Sequence, residues 1–287
     1  MITGKTAVYG ILGYPVCHSL SPVMQNSAFQ AAGFDNVYVP FEVRPEMLGS
    51  VVAGLKAAGV CGWNVTIPHK TSIMPFMDLL DDSALQAGAV NVVKCCDGML
   101  KGFNTDGAGL VKALKVDLDL NPEGAKVVLA GAGGAARGAA AGLCAAGATM
   151  VTVVNRNLDA ARVLVDDLAS YFPEVVFSIS PIEKDAVLAL GKADLIVNAT
   201  SVGMKGDKLA WLDLDLAKKG AKVYDMVYSP LVTPLIEAAN RLGLPAANGL
   251  GMLAGQGELA FRIWTGKDPG QGVMRQALER HLALPLA

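Results

Sequence analysis

The chain alternates between short apolar runs, which are typical of buried strands, and longer amphipathic stretches, which are typical of helices. In the first third, the strand-like runs cover residues 6–12, 36–43 and 61–67. The helical stretches cover residues 22–33 and 45–59, and each ends on a glycine, the usual C-terminal stop of a helix. This part of the chain is therefore predicted to alternate strand and helix.

From about residue 125 onward the alternation becomes regular. Strand-like runs cover residues 125–131, 149–156, 193–199 and 221–228, and helical stretches run up to Gly147 and over 158–170. Short strands joined by helices of this length predict βαβ units and hence a parallel sheet. The tail from Leu250 onward has helical spacing and no strand-like run.

Two glycine-rich stretches, NTDGAG and ANGLG, bracket the regular region and are the predicted linkers. We therefore predict an α/β fold of two domains, with the second domain inserted into the first. The first domain, residues 1–105 and 249–287, is an α/β domain completed by C-terminal helices. The second domain, residues 106–248, is Rossmann-like, and both domains have an ordinary size.

The composition suits a globular protein that acts on a small molecule. The 287 residues are 52% hydrophobic and 17% charged, which excludes disorder and allows a large core. The formal net charge of −2, without a basic block, argues against nucleic acid as the partner. The apolar run from Gly138 to Val154 is divided by Gly147 and preceded by Arg137, so we predict buried core there and no membrane span.

The cysteines and histidines predict no metal site. The five cysteines show no CxxC spacing, and none of the three histidines stands at ligand spacing to a cysteine pair. Reduced thiols fit a cytoplasmic protein, and the N-terminal apolar run is too short for a signal peptide. The sequence leaves open whether the protein is a monomer or a homodimer.

A glycine motif follows the first strand of the second domain. Gly131, Gly133 and Ala136 form G-x-G-x-x-A between a predicted strand and a predicted helix. Such glycines let the backbone approach a pyrophosphate, whose charge then faces the helix N-terminus. The motif predicts dinucleotide binding, and the alternative is a glycine-rich turn that serves packing alone.

The end of the next strand predicts which dinucleotide is bound. An NAD site usually has an acidic residue there, about 20 residues after the glycines, to bind the ribose hydroxyls. This chain has Asn155, Arg156 and Asn157 instead. Because a guanidinium suits a 2′-phosphate, we predict NADP, with a solvated arginine as the alternative.

Thr200 and Ser201 follow the strand-like run ADLIV, at the sheet edge where open α/β folds bind ligands. The two hydroxyls can contact the cofactor or cap a following helix. The sequence leaves both interpretations open.

Four other stretches place polar side chains after apolar runs. They contribute Ser19, Ser21, Thr66, Lys70, Asn91 and Asp106. Ser21 before Pro22 also suits a helix N-cap, and Asp106 suits an Asx-turn or N-cap. Hydroxyls, an amide, an ammonium and a carboxylate are nevertheless the groups that hold a small polyhydroxylated acid, and a Lys/Asp pair can move a proton. We predict that His18 and His69, beside these groups, are structural.

Seven motifs in one order make a family resemblance specific. The chain carries H-S-x-S-P, N-V-T-x-P-x-K, A-V-N, N-T-D-G, G-A-G-G-A-x-R, N-A-T-S-x-G-M and G-x-x-M-L-x-x-Q-G between His18 and Gln256. In these motifs it resembles the shikimate dehydrogenase family over essentially its whole length. The resemblance implies reversible, NADPH-dependent reduction of 3-dehydroshikimate to shikimate in aromatic amino-acid biosynthesis.

The resemblance also implies roles by position. Ser19 and Ser21 would bind the substrate carboxylate, and Lys70 and Asp106 would form the catalytic pair. The ring hydroxyls and the rest of the substrate would meet Thr66, Asn91, Asp106, Gln256 and Tyr228. The cofactor positions would be Gly131, Gly133, Gly134, Ala135, Asn155, Arg156, Thr200, Met226 and Gly249.

One departure from the family pattern weakens the predicted preference for NADP. Asn157 stands where the family commonly has Thr, Ala160 stands where a second basic residue is common, and Arg162 lies two positions further on. Some use of NAD is therefore expected.

Other activities remain as alternatives. One is a quinate or aminoshikimate dehydrogenase that uses NAD. A non-catalytic NADP sensor would not need Lys70 with Asp106, and a folate dehydrogenase of similar plan would not need the HSLSP and NTDG stretches.

Overall fold

The protein is described here by a computed structural model that covers residues 2–181 and 188–283. It divides into two compact units. The first unit contains the chain up to Thr105 and from Leu253 onward, and the second contains Asp106–Met252. The sequence analysis had assigned residues 249–252 to the first domain, but they cluster with the second unit.

Strands and helices alternate along the described chain. The strands are β1 Ala7–Gly13, β2 Asn36–Glu42, β3 Gly62–Val65, β4 Leu79–Leu80, β5 Val92–Cys96, β6 Met99–Phe103, β7 Lys126–Ala130, β8 Met150–Val154, β9 Val176–Ser180, β10 Leu195–Asn198, β11 Lys222–Asp225 and β12 Ala246–Asn248. The α-helices are α1 Ser21–Ala31, α2 Leu48–Ala57, α3 Asp82–Ala87, α4 Asp106–Leu118, α5 Gly134–Ala145, α6 Leu158–Tyr171, α7 Pro234–Arg241, α8 Leu250–Thr265 and α9 Val273–Ala283. Short 3₁₀ turns cover Pro45–Met47, Met74–Phe76 and Leu214–Leu216.

The first unit is built on a mixed six-stranded sheet of order β2-β1-β3-β5-β6-β4. Strand β1 runs parallel to β2 and β3, whereas β5 is antiparallel to both β3 and β6. Trp63, Leu12, Val52 and Ile73 belong to the core on one face of this sheet. Aromatic side chains of the C-terminal helix α8 pack on strand β1 and helix α1, since the Trp264 ring lies 5.3 Å from that of Tyr9.

The second unit contains a parallel six-stranded sheet of order β12-β11-β10-β7-β8-β9. Counted from β7, this is the 3-2-1-4-5-6 order of the dinucleotide-binding fold, and the order reverses between β7 and β10. Ligands bind in such sheets at the carboxyl ends of the strands beside that reversal. The predicted two-domain α/β fold class, with a Rossmann-like domain and C-terminal helices, is confirmed.

The apolar run from Gly138 to Val154 is shared between two elements. Helix α5 ends at Ala145, Gly147 turns with φ +89°, and β8 begins at Met150. Within residues 2–181 and 188–283, we find no helix with the length and apolar character needed to cross a bilayer.

The sequence analysis missed the hairpin of β5 and β6. Its turn is Asp97-Gly98, and both residues have positive φ, at 51° and 72°. An Asp-Gly pair between two short strands is a strong local signal for a two-residue hairpin. The charged and cysteine positions of VVKCC and MLKGF obscured the strands on either side.

Candidate active site

Ser19 and Ser21 lie together where the chain enters α1. The Ser19 hydroxyl accepts a hydrogen bond from the Ser21 backbone N–H at 3.3 Å. Ser21 is the first residue of α1, and the N-cap residue is Leu20, which provides no side-chain cap. The alternative interpretation of Ser21 as a helix N-cap is therefore wrong.

The turn after β3 carries Thr66 and Lys70. The Thr66 N–H donates to the Leu12 carbonyl, and the Lys70 carbonyl accepts from the Val90 N–H at 2.7 Å. The chain between them is held by His69, which is fully buried. Both Thr66 and Lys70 are half-buried, so their side chains stand at the edge of the first unit's core.

His69 fixes this turn through one side-chain hydrogen bond. Its Nε2 lies 2.7 Å from the Val43 carbonyl oxygen, which can only accept. Nε2 must therefore carry the proton, and Nδ1 has no partner among the described residues. Through this hydrogen bond, His69 fixes the backbone that carries Thr66 and Lys70.

Asn91 and Gln256 are brought together through Thr105. The Asn91 Oδ1 accepts from the Thr105 N–H at 2.8 Å, and the Asn91 Nδ2 donates to the Thr105 hydroxyl at 3.0 Å. That hydroxyl also lies 3.2 Å from the Gln256 carbonyl oxygen, to which it can donate. All three residues are buried. The amide of Asn91 is thus rigidly oriented, as a buried polar group requires.

A second pair supports Asn91 from the side of β2 and β3. The Tyr38 hydroxyl donates to Asn64 Oδ1 at 2.7 Å, and Asn64 Nδ2 donates to the Asn91 carbonyl at 3.1 Å. The sequence analysis did not single out Tyr38 or Asn64. Asn64 could have been identified from the sequence, because it is a polar residue within the apolar run 61–67.

Asp106 directly follows Thr105 and is the first residue of α4. It is 4% exposed. A carboxylate in the first turn of a helix is stabilised by the unpaired backbone N–H groups there and by the helix dipole. Lys70 belongs to the first unit and Asp106 opens the second.

The glycine turn after β7 has the backbone of an anion site. Gly131 has φ +110°, and a Cβ there would lie 3.2 Å from the Ala199 carbonyl oxygen and 3.1 Å from Thr200 Cγ2. At Gly133, the N-cap of α5, a Cβ would meet no atom within 4 Å. The N–H groups of Gly134, Ala135 and Ala136 start the helix without acceptors inside it. This open, glycine-lined helix start fits a pyrophosphate.

The end of β8 presents one arginine. Asn155 Nδ2 donates to the Asn157 carbonyl at 2.8 Å, and Asn157 caps α6 by accepting from the Ala160 N–H. Arg156 is exposed and makes no hydrogen bond or ion pair with the described residues. Arg162, in contrast, pairs with Asp159 at 3.1 Å. The cation available for a phosphate at this strand end is therefore Arg156.

Thr200 lies in a turn after β10. Its hydroxyl donates to Asn198 Oδ1 at 2.7 Å and accepts from the Val202 N–H at 3.1 Å. Within residues 199–213, the described chain begins no helix, so the helix-cap interpretation of Thr200 and Ser201 is wrong. Thr200 is half-buried and Ser201 is exposed.

Met226 and Tyr228 follow β11, and both are half-buried. The Gly249 N–H donates to the Val227 carbonyl at 3.1 Å. A Cβ at Gly249 would collide with the Met226 carbonyl oxygen, so a glycine is needed for this close approach. The second unit thus brings Met226 and Gly249 together, as it brings Gly131 and Thr200 together.

A cavity of about 380 Å³ lies in the second unit between α7 and the segment 202–214. Asn198 and Asp225 contribute to its lining, but none of the residues with a predicted role lines it. In the described part of the chain no cluster of His, Cys, Asp and Glu could hold a metal ion.

The strand order and the glycine turn place the second unit among dinucleotide-binding folds. The oriented hydroxyls and amides of the first unit suit a small polar ligand. By fold and site the protein belongs to the class of two-domain, dinucleotide-linked dehydrogenases.

Comparison with known proteins narrows this class to one family. Three family models match the chain: the shikimate dehydrogenase substrate binding domain over residues 11–93, the shikimate/quinate 5-dehydrogenase over 114–205, and the shikimate 5′-dehydrogenase C-terminal domain over 249–279. The shikimate dehydrogenase (NADP(+)) of Geobacter sp. strain M21 is 54% identical, over 99% of this chain and 98% of that protein. The chain belongs to the shikimate dehydrogenase family.

Solved structures agree with the sequence comparison. A shikimate dehydrogenase in complex with NADP+ superposes with a TM-score of 0.90 at 39% identity, covering 99% of this chain and 98% of that one. The shikimate 5-dehydrogenase of Listeria monocytogenes, in complex with shikimate and NAD, gives a TM-score of 0.89 at 36% identity, covering 96% and 98%.

Proposed function

We propose that this protein is a shikimate dehydrogenase that reversibly reduces 3-dehydroshikimate to shikimate with NADPH. The observation that carries the proposal is the near full-length similarity to relatives that are NADP-dependent shikimate dehydrogenases. The site residues discussed below are consistent with it, because each has the chemistry that its role requires.

Most of the proposed substrate-binding residues belong to the first unit, whereas Asp106 and Tyr228 belong to the second. Ser19 and Ser21, adjacent at the start of α1, would bind the carboxylate. Thr66, Asn91, Asp106, Gln256 and Tyr228 would meet the ring hydroxyls and the remainder of the substrate. Supporting this, the amide of Asn91 is already fixed by Thr105 on both its oxygen and its nitrogen. Such preorganisation lowers the cost of ordering the site on binding.

The second unit would hold NADP, whose bound ring supplies or accepts the hydride. The pyrophosphate would lie at the turn of Gly131, Gly133, Gly134 and Ala135, and the 2′-phosphate would meet Asn155 and Arg156. Support comes from the open N-terminus of α5 and from the exposed, unpaired Arg156. Thr200, Met226 and Gly249 would form the wall beside the nicotinamide.

Lys70 and Asp106 would move the proton that accompanies hydride transfer. During reduction, negative charge develops on the substrate oxygen, and the Lys70 ammonium can stabilise that charge and donate a proton. In the oxidation direction the same proton returns from the substrate hydroxyl to the Lys70–Asp106 pair. The half-buried position of Lys70, on a turn fixed by His69, supports this role.

The cysteines support a proposal for the compartment in which the enzyme acts. The five cysteines are all free, which suits the reducing cytoplasm. We infer that the enzyme acts there on a small molecule, as a monomer or homodimer, without a nucleic-acid or membrane partner.

The proposal is tested by following cofactor reduction with purified protein and four substrate combinations: shikimate or quinate, each with NADP+ or NAD+. We expect the highest kcat/KM for shikimate with NADP+. No turnover of shikimate with either cofactor would refute the proposal, and a preference for quinate with NAD+ would replace it by the alternative activity.

One observation supports secondary use of NAD. Arg162 is paired with Asp159, so a single unpaired arginine is left to distinguish the two cofactors at the end of β8. We therefore expect measurable turnover with NAD+, at a lower kcat/KM than with NADP+.

A further inference from the structure

A buried polar cluster lies at the carboxyl ends of β10 and β11, within the second unit. Asp225 is fully buried. Its Oδ1 accepts from Asn198 Nδ2 at 2.9 Å and from the Val227 N–H at 3.1 Å. Its Oδ2 accepts from the Thr233 hydroxyl at 2.6 Å. One carboxylate thus joins β10, the segment after β11 and the start of α7.

Asn198 links Asp225 to the turn that carries Thr200. Its Oδ1 accepts from both the N–H and the hydroxyl of Thr200, at 3.0 and 2.7 Å. Its Nδ2 donates to the Val202 carbonyl as well as to Asp225. Each polar atom of this fully buried amide is therefore used, and the amide has one possible orientation.

All three partners of Asp225 donate, so the carboxylate is satisfied as an anion. Burial raises the pKa of Asp225, and the hydrogen bonds from Thr233, Val227 and Asn198 lower it in part. A buried carboxylate is a poor way to stabilise a fold, because apolar residues of similar size often serve as well. Its charge-assisted hydrogen bonds do, however, hold loops in fixed geometry.

The segments held by this cluster are those proposed to face the nicotinamide. Thr200 is bonded to Asn198, and Met226 lies between Asp225 and Val227 in the chain. We propose that Asp225 is a positioning residue for the nicotinamide end of the cofactor site, acting through Asn198 on Thr200 and through Val227 on Met226. This inference rests on the proposed function.

The test compares two ligands of the full-length protein. NADPH reaches the whole cofactor site, whereas adenosine 2′,5′-bisphosphate has the 2′-phosphate but lacks the nicotinamide. Asp225→Asn keeps the shape of the side chain and removes the charge. We expect it to raise the Kd for NADPH by about tenfold, the usual effect of weakening hydrogen bonds to a charged group, and to leave the Kd for the bisphosphate unchanged.

Two further variants make the test decisive. Asp194→Asn removes a carboxylate at the opposite end of the same sheet, where it accepts from the Lys126 N–H, and should leave both affinities unchanged. Thr233→Val removes one donor to Asp225 and serves if Asp225→Asn does not fold. It should weaken NADPH binding in the same selective way.

The possible failures can be told apart. If wild type does not bind NADPH, the proposed function fails and this inference fails with it. If wild type binds NADPH but the Asp225 and Thr233 variants lose both ligands equally, the cluster is only structural and this inference alone is overturned. Unchanged NADPH affinity in the variants overturns it as well.

Discussion

At the scale of single residues, the proposed preference for NADP rests on the charge at the end of β8. Arg156 is exposed and bonds to none of the described residues, whereas Arg162 is engaged with Asp159. A guanidinium that is not yet paired can offer its planar set of donors to a phosphate without first breaking an ion pair. The two arginines therefore differ in what they can contribute to NADP binding.

We expect Arg156→Ala to raise the KM for NADP+ by about 10- to 100-fold, as is usual for charge-assisted bonds to a phosphate, and to change the KM for NAD+ far less. Arg162→Ala, the matched control in the same region, should change both values by less than about twofold, because this guanidinium already bonds to the Asp159 carboxylate. Steady-state kinetics with shikimate measures all four values. An equal rise in the KM for NADP+ and for NAD+ in Arg156→Ala would contradict the assignment of Arg156 to the 2′-phosphate.

Residue types could be read from the sequence, but their partners could not. The isolated amide of Asn91 marked a buried polar site, yet only the fold shows that Thr105 satisfies it. Ser21 before Pro22 looked like a helix cap, whereas the helix begins one residue earlier than that role requires. Asp225 was overlooked because one carboxylate at the end of an apolar strand gives no local hint of its three donors.

At the scale of elements, close contact between α4 and α5 fixes two helices whose first turns carry predicted site residues. Gly107 of α4 faces Gly138 and Gly142 of α5, and a Cβ at Gly107 would lie 2.5 Å from the Gly138 carbonyl oxygen. A Cβ at Gly142 would lie 2.7 Å from the Gly107 carbonyl oxygen. Because backbone atoms lie on both sides, no flexible side chain can give way.

Gly142→Ala is accordingly expected to lower the free energy of unfolding by about 1–3 kcal/mol, the usual cost of overpacking. The matched control is Gly54→Ala in α2, where a Cβ would meet no atom within 4 Å. It should raise stability by about 0.5–1 kcal/mol, since alanine is the better helix former. Urea unfolding of both variants provides the comparison, and a Gly142→Ala protein as stable as wild type would contradict the tight contact.

The elements themselves were largely predictable, since period and turn residues are local signals. The regular βαβ region from residue 125 gave β7, β8, β10 and β11. The sheet order was not local information, because it depends on which strands pair across long stretches of chain. The edge strands β9 and β12 were missed because neither is a continuous apolar run: β9 contains Ser178 and Ser180, and β12 ends on Asn248.

At the scale of the whole molecule, each unit has a carboxylate whose pKa lies below its ordinary value. In the first unit, partial burial raises the pKa of Asp81, but hydrogen bonds from Ser83 and Lys101 outweigh it. In the second, partial burial raises the pKa of Asp194, but bonds from Lys218 and the Lys126 N–H outweigh it. Both groups therefore stabilise the fold when charged, above the unfolded pKa of about 4, and this contribution is lost as the pH falls through the lower folded pKa.

Asp81→Asn and Asp194→Asn should each lower the free energy of unfolding at neutral pH by up to about 1 kcal/mol, the range of solvent-screened ion pairs. The effects should add in the double variant, because the two residues lie in different units and share no partner. Below the folded pKa values, the Asp81 and Asp194 carboxyls of wild type are neutral, as the asparagine amides of the variants are at every pH. The differences in the free energy of unfolding should therefore vanish there. Urea unfolding at neutral and at strongly acidic pH checks this, and a difference that persists in acid would contradict it.

The central claim is that this protein oxidises shikimate with NADP+ and that Lys70 takes part in the proton transfer. The most direct measurement is steady-state kinetics of wild type, Lys70→Ala and the surface control Lys101→Ala with shikimate and NADP+. We predict that Lys70→Ala lowers kcat by about 10²–10⁴-fold, as loss of a general acid/base does, with KM little changed and with Lys101→Ala matching wild type. A Lys70→Ala enzyme that keeps kcat within about tenfold of wild type would contradict the account.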